Sequence, residues 1–221
     1  MSASSTADSL LKTQPKTKRG QETLARLCES AEELFAEKGY YSTSINEMVL
    51  RAGISIGGFY VYFNDKLSIY KYMILRYGQK LRKFIATKLS EMNLTTRREM
   101  EREGLKLFFD YCILNPNIFP IVWQSLFVTP ELFIDYYDEF GKRYEENLGE
   151  AVRSGEMRPV NLELVSYVMM GVSNFLAIKY INFGSPNGTS EEEIYRIVDE
   201  VMDIWDHGLY IAQPPAGPRK S

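Results

Sequence analysis

At 221 residues, with 45% hydrophobic and 25% charged residues and a net charge of −3, the chain has the length of one large domain or, the better fit, a small domain joined to a larger one. Two cysteines far apart in sequence, Cys28 and Cys112, give neither a disulfide framework nor a metal site and point to a reducing cytoplasm. The amino terminus lacks the apolar core of a signal peptide, and no later segment runs ~18 apolar residues without charge, so a soluble protein with no membrane association is expected.

Residues 1–18 are rich in Ser, Thr and Lys and read as a disordered basic arm. Lys12, Lys16, Lys18 and Arg19 can follow phosphates or a minor groove, or simply solubilise the chain. A first helix follows, with Leu24, Leu27, Cys28, Ala31, Leu34 and Phe35 as its apolar stripe and Gly39 as its stop. Ser44 and Glu47 then form a capping box for a helix whose apolar side is Ile45, Met48 and Val49. Gly53 ends it, and Ser55 caps the next helix, Ile56 to Tyr62. Two short helices joined by a glycine turn are a helix-turn-helix signature. Gly57-Gly58 inside the second is costly, about 1 kcal/mol per glycine relative to Ala, and implies close approach by another molecule.

In this unit Thr43 and Ser44 precede a helix whose free N–H groups attract phosphate, and Asn46 and Ser55 stand at the helix rims. Gly57 and Gly58 let a backbone come near, Ile56 can touch a thymine methyl, and the hydroxyls of Tyr60 and Tyr62 can reach phosphates. Phe59 and Phe63 are assigned to the core. Residues 1–88 hold 14 Lys and Arg against 8 Asp and Glu, while residues 89–221 hold 12 against 21. That division favours a polyanion at the front end, although residues 1–66 alone are neutral at 8 against 8.

Residues 19–67 resemble the amino-terminal domain of TetR-type transcriptional repressors: AEELFAEKGY, then STSINEMVLRAGIS, then IGGFYVYFNDK, with Lys66 opening the fourth helix. The recognition helix of that family often begins Ser-Lys-Gly-Thr. Here it begins Ser55-Ile56-Gly57-Gly58, one positive charge and one hydroxyl fewer. The resemblance implies a DNA-binding domain over 19–65, an effector-binding and dimerisation domain over 66–212, and a phosphate-binding role for Lys66. It further implies a homodimeric repressor on a palindromic double-stranded operator, released by a small-molecule effector.

The remaining elements are helical. A long fourth helix is expected from Lys66 to about Met92, and a capping box at Thr96 and Glu99 opens a fifth that ends near Asn115-Pro116. Pro116 and Pro120 bound a short helix, Thr129-Pro130 starts one that runs to Gly155, and Asn161 to Phe183 forms another. A loop at Gly184, Pro186, Asn187 and Gly188 precedes a last helix capped by Ser190 and ending near Tyr210, with residues 213–221 a disordered tail. The chain therefore reads as all-α with about nine helices.

An apolar cavity for a hydrophobic or aromatic effector is expected among Phe108, Tyr111, Cys112, Trp123, Phe127, Phe133, Tyr137, Phe140, Met170 and Asn174, with Asn174 orienting the ligand. Val165, Met169 and Ser173 on one helix, and Ile194, Ile197, Val201, Ile204 and Trp205 on the last, form the candidate dimer face. The single histidine, His207, sits at a helix end, and no phosphate loop, metal cluster or nucleophile elbow is present, so no catalysis, cofactor or metal is expected. A helical ligand-binding or interaction protein with no specific operator is the alternative reading.

Overall fold

A computed structural model describes residues 7–182 and 189–208. Among them are nine α-helices and no strand: α1 (Lys18–Ser42), α2 (Ile45–Ala52), α3 (Ile56–Tyr62), α4 (Lys66–Ser90), α5 (Arg97–Leu114), α6 (Ile118–Val128), α7 (Pro130–Ser154), α8 (Leu162–Ala177) and α9 (Glu191–His207). A π-helical segment, Ile178–Asn182, extends α8. The expected loop at Gly184 to Gly188, the helix end at Phe183, the stop near Tyr210, the tail 213–221 and the first six residues of the arm lie outside the described residues.

Local chemistry sets most of these boundaries. The Ser44 hydroxyl accepts the Glu47 N–H and the Glu47 carboxylate accepts the Ser44 N–H at 2.9 Å, the reciprocal pair that opens α2. Gly53, at φ 63 and ψ 40, takes the left-handed conformation that ends it. Thr96 and Glu99 repeat the capping box at α5. Asp65, Asn161 and Ser190 cap α4, α8 and α9 by accepting N–H groups three residues on. Pro120 does not bound α6 but is its third residue; proline is tolerated there because N–H groups in the first turn have no helical partner.

Two clusters form the core. One gathers α1 to α4 with α6 around Phe35, Met48, Phe59, Phe63, Tyr70 and Ile121; the other joins α5, α9 and the end of α8 around Leu105, Phe109, Ala177, Val198 and Val201. Two expectations are corrected here. Residues 7–17 are folded onto the first cluster: Ala7 is buried, Leu10 and Leu11 pack beside it, and the Lys12 N–H donates to the Tyr62 carbonyl at 2.9 Å. Their apolar spacing outweighs the polar composition that suggested a free arm.

The dimer stripes are also displaced. Met169, Ile194, Ile197 and Val201 are buried within the protomer, and Val165, Ser173 and Trp205 are half-buried, whereas Ile204 is exposed. The open apolar face of α8 lies one position round, at Leu164, Val168 and Phe175, with Phe175 65% exposed. Because α8 is apolar on every side, periodicity does not say which stripe turns inward. By length and a mean hydropathy of 1.4, Leu162–Ile181 is apolar enough for a membrane span, although it carries Glu163 and Lys179 and so is no uncharged run. Yet the helix packs on α7 and α5 along one side, and Ser166 is fully buried there.

Val201→Arg therefore tests the protomer, not a dimer. An uncompensated charge between α9 and α5 should cost about 3 kcal/mol or more and lower the melting temperature in circular dichroism scans. An unchanged melting curve would show that α9 does not pack this way.

Candidate DNA interface and ligand cavity

Helix α3 presents Ile56, Gly57, Tyr60 and Val61 to solvent, while Phe59, Tyr62 and Phe63 face the core. The spacing explains the split, since positions three and four after Phe59 share its side of the helix. Tyr62 is thus corrected from an outward hydroxyl to a buried one, donating to the Gly20 carbonyl at 3.1 Å. Thr43 is also turned inward, its hydroxyl donating to the carbonyls of Gly39 at 2.8 Å and Leu34 at 3.2 Å. Ser44, Asn46 and Ser55 remain exposed at the rims. Val61 was missed, although its i+4 relation to Gly57 places it on the same face.

Gly57 and Gly58 are not required by the protein's own packing. A Cβ at either position would meet nothing nearer than 3.6 Å, and neither backbone is left-handed. Their cost to α3 has no internal compensation, which leaves a surface a phosphodiester backbone can approach.

Lys66 is not directed at solvent. Its ammonium donates to the carbonyls of Tyr40 and Thr43, each at 2.8 Å, and lies 4.3 Å from the Tyr40 ring centroid. Burial lowers its pKa. The side chain clamps the end of α1 to the start of α4, so the phosphate role implied by the resemblance is replaced by a positioning one. Other cations nearby are paired: Arg51 with Glu37 and Glu33, and Lys38 with Glu47. The Glu47 carboxyl is pulled down to about 2, first by the Lys38 hydrogen bond and then by the Ser44 hydroxyl and N–H. Because this folded-state value lies below the ordinary carboxylate range, the stabilisation is complete above that range and fades as pH falls toward about 2.

Behind this unit, α4, α5, α7 and α8 enclose a cavity of about 190 Å³, with Ile118 and Phe119 of α6 at one wall. Of the expected residues, Phe108, Tyr111, Cys112, Tyr137, Phe140, Met170 and Asn174 line it. Asn174 accepts the Tyr137 hydroxyl at 2.8 Å, a half-buried polar pair on an apolar wall. Trp123 and Phe133 instead line an adjoining cleft with Phe175, which shares Tyr137, Met170 and Asn174 with the cavity. Phe127 is 76% exposed, because it lies on the far side of α6 from the buried Ser125. Arg97, Glu101 and Tyr144, which the sequence reading missed, form a polar end to the cavity. In sequence they sit in charge-rich stretches that resemble solvated helix faces. The Cys112 thiol is pushed up to about 12 by burial, as is that of Cys28, so neither is a thiolate nucleophile at neutral pH.

Residues 27–73 match the family model of bacterial regulatory proteins of the tetR family. The chain is 23% identical over 194 residues to the HTH-type transcriptional regulator YdgC of Bacillus subtilis, covering 86% of this chain and 94% of that protein. It is 27% identical over 112 residues to the HTH-type transcriptional activator FasR of Mycolicibacterium smegmatis, covering 51% and 48%. A TetR-family regulator structure from Syntrophomonas wolfei superposes with a TM-score of 0.74 at 19% identity, covering 87% of this chain and 99% of that one. The structure of FadR from Bacillus subtilis in complex with stearoyl-CoA superposes with a TM-score of 0.64 at 16% identity, covering 85% and 100%.

Residues 27–73 are a tetR-family domain.

One side chain joins this domain to the helices behind it. At Gly39, φ 81 and ψ 165 interrupt α1 and strand two backbone groups. Gln124 of α6 meets both: its Oε1 accepts the Tyr40 N–H at 2.9 Å, and its Nε2 donates to the Phe35 carbonyl at 3.2 Å. The Tyr70 hydroxyl donates to the Ile121 carbonyl at 2.6 Å, and the Tyr41 hydroxyl to the Phe127 carbonyl at 3.0 Å. The helix whose first turn walls the cavity is therefore bonded to the segment that carries α2. Gln124→Leu keeps the volume and strands both backbone groups, so it should destabilise the protein by about 1–3 kcal/mol in urea unfolding. A loss below about 0.5 kcal/mol would show that this amide does not hold the break together.

Proposed function

We propose that this TetR-family protein is a transcriptional repressor that binds a palindromic operator as a homodimer and is released by a small, largely apolar molecule in the cavity behind α6. The observation that carries the DNA half is the outer face of α3, where two glycines without a structural reason lie between side chains suited to thymine methyls and phosphates. The paired state of Arg51, Lys38 and Lys66 supports assigning phosphate recognition to Ser44, Ser55, Tyr60, helix N–H groups and the amino-terminal basic residues. Tyr62, Thr43 and Lys66 support that surface from within.

The effector half rests on the cavity's apolar lining and on its position against α6. A ligand that binds the cavity better when α6 has moved shifts the population toward that arrangement, and Gln124 carries the movement to Gly39 and Tyr40. That FadR of similar fold was solved with stearoyl-CoA supports an apolar chain as the kind of molecule such a cavity houses. The dimer half rests on the open face of α8. Leu164, Val168 and Phe175 need cover, and a second copy supplies the same apolar face by two-fold symmetry.

Two measurements test this reading. Gly57→Ala should raise the melting temperature, by about 1 kcal/mol of stability from helix propensity, while weakening operator binding at least several-fold. Equal or tighter binding by that variant, on an operator found by selection from random DNA, would overturn the close-approach argument. Phe175→Asp should leave the protomer folded, because its side chain touches solvent, yet give monomers in sedimentation velocity. A variant that stays dimeric would move the interface elsewhere.

A further inference from the structure

The polar groups of the cavity are not alike. Asn115 donates to the Tyr111 carbonyl at 2.9 Å, Ser173 to the Met169 carbonyl at 2.8 Å, and Asn174 both accepts the Tyr137 hydroxyl and donates to the Met170 carbonyl. Each already has a partner. At the other end, Glu101 is only 6% exposed, accepts the Tyr144 hydroxyl at one carboxylate oxygen and is ion-paired with Arg97 Nη2 at the other. One buried donor there has no hydrogen-bond partner, Arg97 Nε, whereas Glu101 Oε1 is taken up by its ion pair with Arg97 Nη2.

An unmatched buried donor selects for a head group that offers it an acceptor oxygen. The guanidinium charge is already neutralised by Glu101, so an anionic head would meet an adjacent buried carboxylate at low dielectric with no cation left for it. A cationic head would meet Arg97 in the same way. A hydroxyl or an amide oxygen accepts from Arg97 Nε and carries no charge. We propose that the cavity takes a neutral amphiphile, an apolar body ending in an amide or hydroxyl, with the oxygen of that head accepting from Arg97 Nε and the body lying toward Phe108 and Tyr137. Exposed Asn147 marks the rim beside the head. This assignment rests on the reading of the cavity as the effector site.

The test uses the full chain and four probes of one chain length: decanamide, decanol, decanoate and decylamine, each by calorimetry and thermal shift. Wild-type protein should bind the amide and the alcohol about tenfold more tightly than either ion. Glu101→Gln removes the carboxylate but keeps the shape, leaving Arg97 uncompensated, and should reverse the order so that decanoate binds best. Should Glu101→Gln fail to fold, the wild-type order alone decides. Wild-type protein that prefers decanoate or decylamine would overturn the neutral head while leaving the cavity as the effector site. Binding by none of the four would overturn both the head-group assignment and the effector reading of this cavity.

Discussion

The structure depends on how the Gln124 amide fills the break in α1. A helix interrupted at Gly39 leaves a stranded N–H and a stranded carbonyl, and either one unpaired would cost about 1–3 kcal/mol. A carboxamide is the side chain that offers a donor and an acceptor on one planar group, so one residue from α6 completes both. The corner that leads from α1 into α2 is then set by a residue of the ligand-binding half. Lys66 holds the same corner from the other side, with its ammonium on Tyr40 and Thr43 carbonyls. The reading helix is positioned by these two groups before any DNA is present.

Helix boundaries were legible in the sequence because they are local. The capping boxes at Ser44 and Thr96 and the left-handed stop at Gly53 follow from residues within four positions of one another. The solvent-facing side of α3 was legible in part: Ile56, Gly57 and Tyr60 stand outward, and the helical period that put Phe59 inside also puts Tyr62 inside. Lys66 was not legible as a clamp, since its partners are carbonyls more than twenty residues away, and carbonyls carry no sequence signature. Seven of the ten cavity residues named from aromatic density do line the cavity. Phe127, Trp123 and Phe133 do not, because density in sequence ignores which side of α6 or α7 a ring occupies.

The dimer stripes show the limit most plainly. An amphipathic helix states its inward face in its own sequence, and α9, with charges along one side, does so; its stripe faces α5. Helix α8 has no such contrast, and only the packed structure distinguishes Met169 from Val168. The buried Arg97–Glu101 pair was hidden for the opposite reason. Charged residues at i, i+4 are the ordinary signature of a solvated face, and only the approach of α7 with Tyr144 turns that face into an interior.

Residues 7–17 have a consequence for how this protein assembles. They dock on the end of α3, where the Lys12 N–H takes up the Tyr62 carbonyl, one of the groups a helix terminus leaves without a partner. That docking surface does not exist until Tyr62 and Phe63 have been made and α3 has closed on α1. During synthesis the segment leaves the ribosome ahead of everything it packs against, so it finds its place only after α3 has been made and closed.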